Sequence, residues 1–458
     1  MRSSTAALLL TLSWAAPAVA QDNAHPLLGQ VVSEVNPQAL QATVTRLVAF
    51  GTRHSLSGNA STTRGIGAAQ AWVKNEFAGI NAHCGNCLEI ETPSENFTGR
   101  RVPNSTPMMD VLAIQRGQSD PGRVIIIAAH LDSRNSDPMD SLNDAPGAND
   151  DGSGTAAVLE AARILSTRKF AATLVYAVLT GEEQGLLGGT VLAHYARDHG
   201  WNVEADLNND IIGNSQGGNG MVDATHVRIF SEGTRDLETE AEAKAVRYNG
   251  GEIDSPSRNL ARFITTLAPR YLDGFDAHLI YRTDRYGRGG DQVPVLAAGF
   301  PAVRVTEAAE NYTRQHQNVR DENGIAYGDV ITGVDFDYLA QVTRLNIVTM
   351  AALAMAPAPP KLGISGATTY DTLLSWASVP GAASYRAWWR DSLDPAWTHN
   401  QPAGNASSIK LENINTDNWL FGVSSLSVDG YESPVSFPFG DSPVGANLTP
   451  VPAGRPAN

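Results

Sequence analysis

Apolar and polar positions follow two different rhythms along the chain, and the change falls near residue 357. Upstream, residues 124–129 (VIIIAA) and 174–179 (LVYAVL) are unbroken apolar runs, which predicts strands buried on both faces of a sheet. Residues 68–77 (AAQAWVKNEF) have helical spacing and place Ala69, Trp72, Val73 and Phe77 on one face. Helical spacing returns over 154–165 and 186–195, and residues 338–355 predict a long closing helix. A third strand is expected to end at Ile211 and Ile212, and residues 300–305 (FPAVRV) predict another. This alternation specifies the α/β class: a mixed, mostly parallel central sheet flanked by helices.

A Pro-rich spacer at 356–361 closes that region, assigned to residues 21–357 with a short N-terminal extension. Beyond it the helical period vanishes. Short alternating runs at 373–376, 384–389, 407–411 and 419–425 are separated by turn chemistry at Pro380-Gly381, 402–405 and Asp429-Gly430. They predict a small all-β sandwich over 358–440, followed by a disordered Pro/Gly/Ala-rich tail at 441–458. The stretches SWASVPGAASYRAWWR and VSSLSVDGYES resemble fibronectin type III modules, which suggests a unit that docks substrate or a surface.

The N-terminus changes the picture of location. Arg2, an apolar run over 6–16 and Ala18-Val19-Ala20 predict a secretory signal over residues 1–20, cut after Ala20. That run is shorter than the ~20 apolar residues a membrane span needs, and no later segment is long enough either. The mature protein is therefore expected to be soluble and secreted or periplasmic. Lys and Arg total 33 against 48 Asp and Glu, a formal charge of −15, which argues against a nucleic-acid platform. Two cysteines can build neither a disulfide-dense scaffold nor a four-thiolate zinc site. In an oxidising compartment Cys84 and Cys87 are expected to close a small disulfide loop. A thioredoxin-like motif and half a zinc site are the competing readings, and no second CxxC supports them.

Four separated segments carry ionisable groups at strand ends, where α/β proteins place their sites. His130 and Asp132 leave the VIIIAA strand. A histidine there can offer one ring nitrogen to a metal while the carboxylate holds the other. Asp150 and Asp151 open a helix among Gly147, Gly152 and Gly154, so the backbone can turn and present a carboxylate outward. Glu182 and Glu183 follow the LVYAVL strand, and two neighbouring carboxylates at a buried strand end call for positive charge. Asp210 ends the next strand, and His316 lies in the NYTRQHQ segment.

In this order, HxD, GANDDGSG, GEE, NDIIG and a late histidine resemble the M28 zinc peptidases, the co-catalytic dizinc aminopeptidases. The resemblance runs from the FGTR segment at 50–53 to His316. It implies a zinc exopeptidase-like fold with Asp150 bridging two Zn2+. Glu183 and His316 would complete one site, and His130 and Asp210 the other. It further implies Glu182 as general base, Asp132 orienting His130, and a cis peptide after Asp150. The carboxylates of Asp150, Glu183 and Asp210 together with one hydroxide would offset two Zn2+, and His and carboxylate donors suit that metal. Peptides are the implied substrates. Aminopeptidase action is the family's commonest role, and an acidic cleft suits a free α-ammonium. Tyr286, Arg288 and Asp291 are candidates for substrate or oxyanion contact. The chain departs from the family pattern at Asn149, and at Gly290-Asp291-Gln292 where a Ser-Asp-His is usual.

Other classes compete. Gly213-Asn-Ser215-Gln-Gly217 matches a G-x-S-x-G nucleophile elbow, which should lead into a helix, yet glycine-rich loop chemistry follows. A carboxypeptidase, a dipeptidase, a glutaminyl cyclase (same fold, single zinc) and a catalytically inactive binding protein on a peptidase scaffold are the alternative readings. His194 and His199 miss helical ligand spacing and read as surface residues.

Overall fold

The computed structural model describes residues 25–438. The predicted signal over 1–20 and the tail at 441–458 lie outside the described residues. Ten strands come first: β1 (Glu89–Glu91), β2 (Ser94–Gly99), β3 (Val102–Met109), β4 (Val111–Gln115) and β5 (Asp120–His130). They continue as β6 (Ala172–Leu179), β7 (Asn202–Asn209), β8 (His226–Phe230), β9 (Asp276–Ile280) and β10 (Ala302–Glu307). Eight of them form one mixed sheet in the order β1-β4-β6-β5-β7-β10-β8-β9, and β2 pairs with β3 outside it. The four central strands β6, β5, β7 and β10 are parallel, whereas β4 and β8 join them antiparallel.

The two-residue period of a strand sends β5 into two cores. Ile125, Ile127 and Ala129 pack with the helices Pro26–Ser33, Pro37–Val48, Ile66–His83, Gly152–Leu165, Pro256–Tyr271 and Phe336–Met355. Val124, Ile126 and Ala128 pack on the opposite face with Leu187–Asp198 and Gln292–Ala297. Because both faces are covered, the strand sequence is apolar throughout. The helix predicted at 68–77 extends over Ile66–His83, and it buries Ala69, Val73 and Phe77 while Trp72 is half-buried. One expected strand end shifts. β7 stops at Asn209, and Ile211 takes a left-handed φ of 59°, which turns the chain out of the sheet just after Asp210. The apolar pair at 211–212 reads like strand but is buried beyond the strand's end.

A small antiparallel pair, β11 (Arg320–Glu322) and β12 (Ile325–Tyr327), precedes the closing helix. The C-terminal region then contains β13 (Leu362–Ser365), β14 (Thr372–Trp376), β15 (Ser384–Asp391), β16 (His399–Gly404), β17 (Ser408–Leu411) and β18 (Trp419–Leu426). They form two three-stranded antiparallel sheets, β13-β14-β17 and β16-β15-β18, which share a core of Leu374, Trp376, Tyr385, Phe421 and Val423. Residues 402–404, expected as part of a turn, belong to β16. Pro402 is tolerated there because β16 is an edge strand. No helix among the described residues is long and apolar enough to cross a membrane.

The C-terminal sheets are anchored by one buried ion pair. Arg390 of β15 donates Nη2 to both oxygens of Asp254, at 2.9 and 2.8 Å, and both side chains are fully buried. Arg262 joins the same carboxylate at 2.8 Å. Removing one partner of a buried pair strands the other charge, at about 3–5 kcal/mol. Arg390→Ala should therefore lower unfolding stability by about 3 kcal/mol, since Arg262 remains to pair Asp254. Chemical denaturation reads this out, and a loss below about 1 kcal/mol would contradict it.

Candidate metal centre

The carboxyl ends of the parallel strands open into a cleft of ≈ 380 Å³, lined in part by Asp150, Glu182, Glu183, Asp210 and His316. His130 is the last residue of β5 and is buried. Its backbone N–H donates to Asp151 at 3.2 Å, and its Nδ1 meets the main-chain oxygen of Asp132 at 2.9 Å. That contact aims Nε2 into the cleft.

Asp151 caps the helix Gly152–Leu165 by accepting from Gly154 N at 3.0 Å, and it also accepts from Ile211 N at 3.3 Å. One buried carboxylate thus ties together the loops bearing His130, Asp150 and Asp210. Its neighbour faces the other way. Asp150 N donates to Asp329 at 2.7 Å, and the peptide bond between Asp150 and Asp151 is cis, as the resemblance implies. Gly147 has φ +54°, and a Cβ there would meet Ser133 at 2.5 Å and the Asp150 carbonyl at 2.6 Å, so only glycine fits this approach.

Two donor sets result, and Asp150 belongs to both. His130, Asp150 and Asp210 offer ligand atoms within 4.8 Å of one another, and so do Asp150, Glu183 and His316. Asp150 gives a different oxygen to each side: Oδ1 lies 3.2 Å from His130 Nε2, and Oδ2 lies 3.1 Å from His316 Nε2. His316 Nε2 is also 3.1 Å from Glu183 Oε1. These are the five residues expected as ligands from the sequence, and the fold brings them to one point.

The chemistry of the donors fits a cation. His130 Nε2 and Glu183 Oε1 are buried without a hydrogen bond of acceptable geometry, the first 3.2 Å from Asp150 Oδ1 and the second 3.1 Å from His316 Nε2. Buried polar atoms without a well-formed partner are costly, and zinc, which takes N and O donors, would satisfy both. The metal-free cluster already behaves as a cation trap. Burial opposes a charged His316, yet Glu183 and Asp150 outweigh it and push the imidazole up to about 10. Burial likewise opposes a charged His130, but Asp150, Asp151, Glu182 and Asp210 together raise it.

The supporting groups differ from expectation in one respect. Asp132 was expected to orient His130 through its carboxylate. Its Oδ1 is 3.7 Å from Nδ1, and the carboxylate instead accepts the amides of Gly181, Glu182 and Glu183 at 2.8, 3.3 and 3.2 Å. Three N–H groups outcompete one imidazole, so Asp132 fixes the turn that carries Glu182. Burial, reinforced by Asp210, Glu183 and Asp291 against the pull of His130, raises the carboxyl of Glu182 well above the usual range.

Arg288 lines the cleft, whereas Tyr286 is 89% exposed and not among its lining residues. Asp291 is buried and accepts from Gly189 N at 2.9 Å, so its carboxylate supports a helix start rather than facing substrate. Burial pushes it up to about 7. Gln292, in the usual histidine position, is buried between Asp284 and Asn208. Asn149 links Glu307 and the Gly213 amide, at 2.8 and 2.7 Å.

Four positions escaped the sequence reading. Asp329 holds the amides of Asn149 and Asp150. Arg53 donates to the carbonyls of Leu131, Pro146 and Gly147, bracing the ligand loops. Arg304 pairs with Asp210 Oδ2 at 2.6 Å from inside the sheet. Arg101 reaches the site from the β2–β3 turn. Nor is the cleft simply acidic, because the guanidiniums of Arg101, Arg134, Arg285 and Arg288 line it beside the carboxylates. Only Arg53 had a sequence signal, as the end of the FGTR motif.

The remaining motifs fall outside the cleft lining. Cys84 and Cys87 are joined in a disulfide just past the helix Ile66–His83. His194 pairs with Glu95 on the surface, and His199 stacks on Tyr195. Ser215 donates to Asp335 at 2.6 Å, and a turn rather than a helix follows it.

Comparison with known proteins adds independent information. Residues 110–327 match the model of peptidase family M28. A protein of Pyrenophora tritici-repentis named "Probable zinc metalloprotease" is 41% identical over 419 residues, covering 90% of this chain and 86% of the relative. A Leptosphaeria maculans protein of the same description is 40% identical over 414 residues, covering 89% and 96%. Among solved structures, LapB from Legionella pneumophila has the same fold, with TM-score 0.53 and 18% identity over 72% of this chain and 75% of that one. An aminopeptidase from an Aneurinibacillus species shares it too, with TM-score 0.50 and 12% identity over 71% and 96%.

Proposed function

The chain belongs to peptidase family M28 and to its zinc metalloproteases, and from that premise we propose an exported dizinc aminopeptidase that removes N-terminal residues from peptides. One observation carries the dizinc reading: Asp150 presents one oxygen to each of two convergent donor sets. His130 and Asp210 would hold one zinc and Glu183 and His316 the other, with Asp150 between them. When bound there, zinc supplies polarisation of the scissile carbonyl and a lowered pKa for the attacking water.

The chain's own groups do the rest. Glu182, on the cleft wall next to Glu183, accepts a proton from the attacking water on its carboxylate and returns it to the leaving amine. Asp132 holds that turn in place through three amides, so the base does not drift from the reacting atoms. His316, with its side chain 32% exposed, marks the side open to substrate. The aminopeptidase reading draws on the fold shared with the Aneurinibacillus enzyme, and export on the N-terminal sequence pattern.

Leucine p-nitroanilide should be hydrolysed, and its N-acetylated form should not. Chelation should abolish the activity and added Zn2+ restore it. Cleavage of the acetylated substrate at a similar rate would replace aminopeptidase action with another peptidase mode.

A further inference from the structure

The cleft wall carries positive charge that the peptidase chemistry leaves unused. Arg101 donates Nη1 to the Glu183 carbonyl at 2.8 Å, and Arg134 brings Nη1 within 3.7 Å of the Glu183 carboxylate. Arg285 and Arg288 share the Glu310 carboxylate at 3.4 and 3.2 Å, and Arg228 binds that same group. Asp284 also takes Arg285, at 3.1 Å, but it faces Arg304 as well, so two carboxylates stand against four guanidiniums. Among the hydrogen bonds of the described residues, Arg101 and Arg288 each engage only Nη1, which leaves further N–H donors at the cleft.

The charge balance decides what those donors meet. Four lining arginines match four lining carboxylates, Asp150, Glu182, Glu183 and Asp210. Once cations occupy three of those carboxylates, the cleft is positive inside a chain of charge −15. A cleft of one sign concentrates ligands of the other, and guanidinium forks match carboxylates.

We propose that the cleft selects peptides bearing a carboxylate beside the scissile bond, gripped by Arg101 and Arg288. This deepens the peptidase reading and rests on it. The carboxylate has two sources: an Asp or Glu side chain on the released residue, or the free α-carboxylate of a dipeptide.

Two substrate pairs separate these sources on zinc-loaded protein: Glu- against Gln-p-nitroanilide, and Leu-Leu against Leu-Leu-amide. Each is followed by kcat/KM on the wild type. Calorimetric Kd values for Glu-Leu-amide against Gln-Leu-amide, and for Leu-Leu against its amide, are measured on Glu182→Gln. A charged hydrogen bond gives a preference of about ten- to a hundredfold for the anionic member of at least one pair, in both readouts. Arg101→Gln and Arg288→Gln should each pull that ratio toward one, while Arg288→Lys should retain part of it. Ratios within threefold in both pairs would overturn the inference while hydrolysis itself upholds the peptidase reading. A binding preference without any hydrolysis would do the reverse.

Discussion

Asp150→Asn should leave a folded protein that holds almost no zinc and has lost activity on the order of 10⁴-fold or more. The reason lies in the geometry. Asp150 is the single residue common to both donor sets, with Oδ1 toward His130 and Oδ2 toward His316. An amide offers one neutral oxygen in place of two charged ones, so both sets lose a ligand at once. The loss exceeds the 10²–10⁴-fold usually traced to a general base, because the Lewis acid goes with it. Folding is the control. Asp151, not Asp150, caps the helix and ties the loops, and Asp329 grips only the Asp150 backbone. The metal-free variant should therefore still fold, its thermal midpoint moved only by the lost pairings with His130 and His316, while the rise that zinc gives the wild type disappears. Inductively coupled plasma mass spectrometry and thermal denaturation with and without zinc provide the two readouts. A variant that binds zinc normally would remove Asp150 from the centre.

Glu182→Gln should do the opposite to metal content and nearly the same to turnover. Glu182 lines the cleft but belongs to neither donor set, so zinc binding should match wild type. The amide cannot accept and return a proton, so kcat should fall about 10²–10⁴-fold with little change in KM. The backbone of the turn does not depend on this side chain, because Asp132 holds it through main-chain amides. Undiminished kcat in a zinc-loaded variant would strip Glu182 of the role.

The sheet and the candidate donor residues are legible for the same physical reason. Parallel strands buried on both faces must be apolar, so VIIIAA and LVYAVL stand out, and whatever polar residue ends them stands out too. His130 and the GEE turn are conspicuous because they follow such runs. Ile211 misled because an apolar pair has no period with which to distinguish strand from buried turn, and its left-handed backbone is imposed by Asp151 and Glu307 from other segments. β16 was hidden because an edge strand needs no apolar alternation and can contain a proline. Asp329 and Arg101 act through long-range contacts, on backbone amides and a carbonyl respectively, and a lone Asp or Arg in a loop gives no hint of such a partner. HxD spacing brings Asp132 to the site, but the amides it binds belong to a turn fifty residues away.

The proposed dizinc centre has two cations sharing Asp150. Zinc counted per folded chain in fully active, dialysed protein tests it most directly. Two equivalents are expected, unchanged in Glu182→Gln and close to zero in Asp150→Asn. Full activity with a single equivalent would contradict it.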